Sequence, residues 1–253
     1  MQNVTFFSRW TGASCWFSTA AKVVFLCIAA FATGCATTQN ISQVEELSSA
    51  GEKVAILMMP MDVELTEVSA SGLEEPQADW TENAAKYISQ AIDARIAKYG
   101  YSASTYESRI KDPASDTVQL VKLHEAVGQS ILEHSLGAEE YKLPTKKGRF
   151  EWTLGEKAGL LKDETGADYA LFVFFRDSFA TGGRIAQQIA LAILTQGNHQ
   201  VQGTPQIGFS SLVDLESGDV VWFNQLVQGV GDSRKQSVAN TVAKNLLAGF
   251  PAK

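Results

Sequence analysis

The sequence is poor in the residues that most often do chemistry. Its 253 residues include three cysteines and three histidines. Cys15, Cys27 and Cys35 all lie near the start. From Ala36 onward no thiol remains for catalysis, a disulfide or a cysteine-based zinc site. Basic residues are outnumbered, with 21 Lys and Arg against 28 Asp and Glu and a net charge of -7. That balance excludes a nucleic-acid binder working through clustered cations and suits an acidic domain that attracts a basic partner. No G-x-S-x-G elbow and no Walker-type loop is present. No internal repeat or low-complexity tract occurs. What is there is ordinary globular material, 45% apolar and 19% charged, enough to bury a core in one domain or two.

Residues 1–34 carry Arg9 and Lys22 and no acidic residue. After Lys22 comes a short apolar run, Val23 to Phe31, well under the roughly 20 residues of a helical membrane span. A basic start, a short apolar core and small residues at the end are the parts of a secretory signal peptide. The run closes on Ala32-Thr33-Gly34-Cys35. This resembles the bacterial lipobox, with Ala32 where Leu is usual. The resemblance implies a diacylglycerol on the Cys35 sulfur, cleavage between Gly34 and Cys35, and palmitate-type chains in the mature protein. Ala36, where an Asp would imply inner-membrane retention, implies the outer membrane. The plainer alternatives are an ordinary secretory signal or a buried N-terminal helix. The expected organisation is therefore a lipoprotein signal peptide (1–34), a lipidated cysteine with a polar tether (35–50), and a periplasmic α/β domain (51–253). Fifteen flexible residues span roughly 20 Å on average and at most roughly 50 Å, which keeps the domain close to its membrane.

Within the domain, KVAILMMP at 53–60 reads as a strand buried on both faces, and Met61, Val63 and Leu65 alternate with polar residues beyond it. Ala78–Gly100 reads as a helix capped by Asp79 with Glu82, its inner stripe Ile88, Ala91, Ile92, Ile96 and Tyr99. Tyr101–Tyr106 is a short strand. Asp116–Leu136 is a helix with Leu120, Leu123, Val127 and Ile131 on one face. Thr153 and Glu156 open a further helix that closes at Gly166. DYALFVFFR at 168–176 is the central strand. Gln206–Leu215 and Val220–Val227 form a hairpin around Glu216-Ser217-Gly218-Asp219, and Ser233–Phe250 is the last helix, capped by Asp232 or Ser233. The order gives one α/β domain with a mixed sheet of about five strands flanked by helices.

VAILMMP, GADYALFVFF and SLVDLESGDVVWFNQ with its following helix are together similar to a superfamily of bacterial envelope lipoproteins and periplasmic domains. It includes the curli-secretion lipoprotein, the TolB amino-terminal domain and lipoprotein activators of penicillin-binding proteins. ELTEVSASGLEEPQADWTENA also resembles a group of uncharacterised lipoproteins of this kind. The resemblance covers about residues 53–250. It implies assembly, secretion or regulatory roles, without an enzymatic site.

Candidate sites follow from the remaining patterns. His124-Glu125 and His134 lack the i, i+4 histidine spacing of a zinc-protease helix and read as helix-surface histidines; His199 falls in a loop. Gly182-Gly183 reads as a joint. Arg184–Gln196 is nearly apolar, and its thirteen residues span about 20 Å, too short for a bilayer. One reading packs it on the sheet as a crossover helix; the other makes Ile185, Ile189 and Leu194 an oligomer or membrane contact. Asp62 to Glu82 holds seven acidic residues and no basic one. It is a solvated loop or, through Glu67, Glu74, Glu75 and Asp79, a docking surface for a basic partner. Lys142, Lys146, Lys147 and Arg149 beside Trp152 form a small basic counterpart.

The expected role is a non-catalytic accessory or assembly factor on the periplasmic face of the outer membrane. It would bind another envelope protein and use no cofactor, metal or nucleic acid. The rival is a homo-oligomeric secretion component of the curli-secretion type. A third option, an activator of a cell-wall synthase, fits less well with a short tether.

Overall fold

One strand organises the sheet. β6 (Tyr169–Ala180) is twelve residues long, and its alternation sends Tyr169, Leu171, Val173 and Phe175 into one core and Ala170 and Phe172 into another. Period-two alternation of apolar residues on both faces requires cover on both sides. The computed structural model describes residues 36–49, 51, 53–106, 115–195, 206–229 and 231–252. The expected signal peptide, with Gly34 and Cys35, and His199 lie outside them.

The chain contributes β1 (Thr37–Ser42), β2 (Ala55–Met58), β3 (Asp62–Val68), β4 (Glu74–Pro76), α1 (Ala78–Lys98), β5 (Ser102–Thr105), α2 (Asp116–His134), α3 (Gly159–Thr165), β6, α4 (Gly182–Leu194), β7 (Ile207–Asp214), β8 (Val220–Gln228) and α5 (Ala239–Leu246). The sheet is mixed and has eight strands in the order β1-β8-β7-β6-β2-β5, with β3 also on β6 and β4 outside β3. α1 and α5 cover one face with Ile88, Ile92, Ile96, Val242 and Leu246. α2 and α3 cover the other with Leu120, Ile131 and Leu161. The α/β class and the mixed sheet match the sequence reading; the strand count does not.

The extra strands have identifiable causes. The apolar run around residue 57 is interrupted at Met59–Met61, and its two halves pair in succession along the same neighbour. β2 pairs in parallel with Tyr169–Leu171 and β3 with Phe174–Ala180. β4 folds back on β3 through a turn closed by the Ser69 hydroxyl, which accepts from the Leu73 amide at 3.1 Å.

The largest departure is at the expected tether. Thr37–Ser42 is an edge strand, antiparallel to β8. Leu47 is buried, and the Tyr169 hydroxyl donates to the Ser48 carbonyl at 3.0 Å. TTQNIS carries little apolar signal, but an edge strand with one wet face needs little. The open backbone edge of β8 supplies the pairing. The folded unit runs from Ala36 to Lys253.

Helix ends also differ from expectation. α1 is preceded by Gln77 with no side-chain cap, and the Asp79 carboxylate is exposed in its first turn. Thr153 accepts from the Gly155 amide at 2.9 Å in a turn, and a short 3-10 turn leads into α3. The last helix begins only at Ala239, after a 3-10 turn, so neither Asp232 nor Ser233 caps it, and the Ser233 hydroxyl goes to Asp177. Gly128 in α2 lets that helix approach β7: a Cβ there would lie 2.5 Å from the Phe209 ring.

Candidate functional site

Three exposed features meet at one end of the sheet. β1 is antiparallel to β8, β8 to β7 and β7 to β6. The start of β1 and the finish of β6 therefore lie at the same end. β3 runs parallel to β6 and finishes there too, with Val68 opposite Ala180. The chain enters its folded unit at this end, the β3–β4 turn projects from it, and α4 leaves from it.

α4 is the unusual element. Thr181 caps it by accepting from the Arg184 amide at 3.2 Å, and Arg184 reaches the Ser69 carbonyl at 3.4 Å. Beyond that first turn the helix has no buried residue. Ile185 is 45% exposed, Ile189 48%, Ile193 72% and Leu194 78%. The crossover-helix reading is thereby corrected. Successive 100° steps gather Ile185, Ile189, Ile193, Ala186 and Ala190 on one side, while Arg184, Gln187 and Gln188 fall on the other with Leu191 among them. β6 and β7 are adjacent antiparallel strands, so their connection need not cross a sheet face.

The acidic candidates divide. Glu67 and Glu75 sit opposite each other in the β3–β4 ladder, and Glu74 faces Val68. Every β4 residue is exposed. Like charges placed directly opposite repel. Asp79 is exposed on α1, outside the ladder. Arg234 stands nearby, its guanidinium 3.9 Å over the Phe179 ring and 4.8 Å over Trp80. Hydrogen bonds with Asp232 hold Arg234 in its charged form, with a smaller attraction from Glu67. The same pairing pulls the Asp232 carboxyl down to about 2.

Beneath this surface lies a buried polar cluster that sequence reasoning missed. Asp177 Oδ2 accepts from Ser233 Oγ at 2.5 Å and Gln206 Nε2 at 2.9 Å, and its Oδ1 accepts from the Ser178 amide at 2.9 Å. Burial raises the carboxyl pKa, and these hydrogen bonds oppose the rise. The cluster ties β6 to the segments before β7 and before α5. A lone Asp in FFRDSF is the sequence signal: a charged residue at an inward position of a buried strand.

The histidines do not come together. His124 is only 6% exposed, which corrects the surface reading. Its ring stacks on Phe172 at 3.9 Å and is hydrogen-bonded to the buried Ser211. Burial lowers its pKa to about 3, so at neutral pH it is an uncharged packing residue. Glu125 is exposed. His134 Nδ1 donates to the Tyr141 carbonyl at 2.6 Å, beside a cleft of about 160 Å³ lined also by Lys142, Lys146 and Arg149. Those cations are engaged: Lys142 with Glu139, Arg149 with Glu151, and Lys146 over Trp152. Among the described residues, no group of three or more His, Cys, Asp or Glu could hold a metal ion.

No protein-family model and no curated protein matches the chain. Among solved structures, it is similar to the PelC dodecamer from Paraburkholderia phytofirmans. Identity is 15%, over 87% of this chain and 99% of that one, with a TM-score of 0.41. A point variant of the same PelC dodecamer gives 12% identity, 87% and 100% coverage, and a TM-score of 0.40.

Proposed function

We propose that this chain is a lipid-anchored, non-catalytic component of the bacterial envelope that works by presenting contact surfaces. The observation that carries the reading is α4, a thirteen-residue helix with its isoleucines in solvent and no residue buried. Contiguous exposed apolar surface of that kind is a contact surface waiting for its other half. The anchor is the lipobox-like Ala32-Thr33-Gly34-Cys35, and the address is the periplasmic face of the outer membrane. Because β1 begins at Thr37, an acylated Cys35 is separated from the sheet by Ala36 alone, a reach of roughly 7 Å. This is a mount rather than a leash.

The β3–β4 hairpin with Glu67, Glu74 and Glu75 is the surface offered to a basic envelope protein. Photocrosslinking from a probe placed at Leu73, an exposed residue of the β3–β4 turn, tests this in cells. The expected result is a discrete adduct that disappears when Glu67, Glu74 and Glu75 are all changed to Lys while the protein stays folded. Persistence of the adduct in that variant overturns the docking role. Labelled palmitate incorporation, lost with Cys35→Ser, tests the anchor.

A second reading, a homo-oligomeric secretion component, draws on the same exposed helix if its other half is another copy. Size-exclusion chromatography of residues 36–253 with light scattering separates the two. A ring or large assembly dissolved by changes in α4 supports the second reading.

A further inference from the structure

The topology puts the start of β1 and the apolar helix at one end of the sheet. We infer that α4 is an in-plane membrane helix that beds the domain on the bilayer to which Cys35 is joined. The inference deepens the anchored reading and rests on it for the identity of the surface.

Three observations carry it. The chain enters the sheet at the start of β1, at the end where β6 passes into α4. β1 and β6 are three strand spacings apart, about 14 Å laterally. Acyl chains on the residue before Ala36 would therefore bring a bilayer surface to the same end of the sheet as α4. The second observation is size. Thirteen residues make a helix about 20 Å long, too short to cross a hydrocarbon core of about 30 Å. No helix among the described residues is long and apolar enough to cross a membrane. A short helix with one apolar side and one polar side lies in the interface instead, with its apolar side sunk into the acyl boundary. The third observation is charge. Arg184 is the one ionisable residue of α4, in its first turn, and the neighbouring hairpin adds Glu67, Glu74 and Glu75. Attraction to anionic headgroups is thus not the driving force. Burial of Ile185, Ile189, Ile193 and Leu194 is, and the surface fits a zwitterionic leaflet.

The role differs from anchoring. Lipid alone leaves a domain free to swivel about its first residues. A second contact about 14 Å away fixes which face looks at the bilayer. The opposite end of the sheet, with the β7–β8 turn at Glu216–Asp219, then points into the aqueous compartment.

The test uses residues 36–253, which contain the complete folded unit and no acylation site. The probe is sonicated vesicles of phosphatidylcholine and phosphatidylethanolamine. Cosedimentation is expected, and the Ile189→Ser, Ile193→Ser double variant should weaken it about tenfold or more, with an unchanged melting temperature because both side chains are exposed. Absence of cosedimentation overturns the inference. So does binding that appears only when phosphatidylglycerol is added, or a double variant that melts earlier, which would show α4 packed in solution. A fourth refuting result is a soluble oligomer that the double variant breaks while vesicle binding is unaltered. Failure of palmitate labelling, with vesicle binding intact, would remove the anchor and leave the helix assignment standing.

Discussion

Replacing His124 with Gln should flatten the acid side of the stability profile. In the folded chain the ring is sealed between α2 and the sheet, and burial holds its pKa at about 3, against 6.5 for the free side chain. Below pH 6.5 the unfolded chain takes up a proton at this site and the folded chain does not. Stability therefore falls as pH falls, by about 1.4 kcal/mol per pH unit, until the folded pKa is reached. Between pH 7.5 and pH 5.0 this one group removes about 2 kcal/mol. Gln is uncharged, is a good helix former, and can offer Ser211 a hydrogen bond. The variant will carry some offset from the lost stacking on Phe172, but that offset is independent of pH. Urea unfolding of residues 36–253 at several pH values reads the difference directly. Wild type should lose about 2 kcal/mol more than the variant over that interval. Equal losses would mean the ring takes up a proton in the folded state, and the packing role assigned to it would be wrong.

Other perturbations test separate parts of the structure by chemical denaturation. Gly128→Ala should destabilise by about 1–3 kcal/mol despite the better helix propensity of Ala, because the new methyl meets a Phe209 ring stacked between Phe174 and Phe223; a neutral result would show that the ring stack yields. Phe175→Ala, at a fully buried site on β6, should cost about 3–5 kcal/mol, and a loss under 1 kcal/mol would contradict a dense core there. Ser233→Ala removes a hydrogen bond to the buried Asp177 and should cost about 1–3 kcal/mol; an unchanged midpoint would mean the cluster does not bind the segment before α5 to the sheet. A chain beginning at residue 51 lacks β1 and the buried Leu47, and should lose at least about 2 kcal/mol and tend to aggregate through the bared β8 edge. Full stability of that shorter chain would restore the tether reading.

Much of the fold was legible in local pattern because burial imposes periodicity. Ile88, Ala91, Ile92 and Ile96 at helical spacing, and the alternating residues of DYALFVFFR, announce their elements. The helix stripe can be buried only against one partner, and the strand, apolar on both faces, only between two layers. The α/β class and the hairpin around Glu216–Asp219 followed directly. The small departures came where propensity is weak, as at the start of α1, where Gln77 rather than Asp79 holds the capping position, and at Met59–Met61, where one apolar run becomes two strands.

The sequence alone determined composition, the acidic balance, the signal-like N-terminus and the inner faces of the long elements, since these depend on residues near one another in the chain. Tertiary structure decided the rest, because pairing and burial depend on distant residues. TTQNIS became a strand because β8 had an open edge. His124, on α2, lost its charge because Phe172 and Ser211, from β6 and β7, closed over it. The apolar stretch after Gly183 was ambiguous by itself. Only the adjacency of β6 and β7, which spares their connection any crossing of the sheet, left its isoleucines outside.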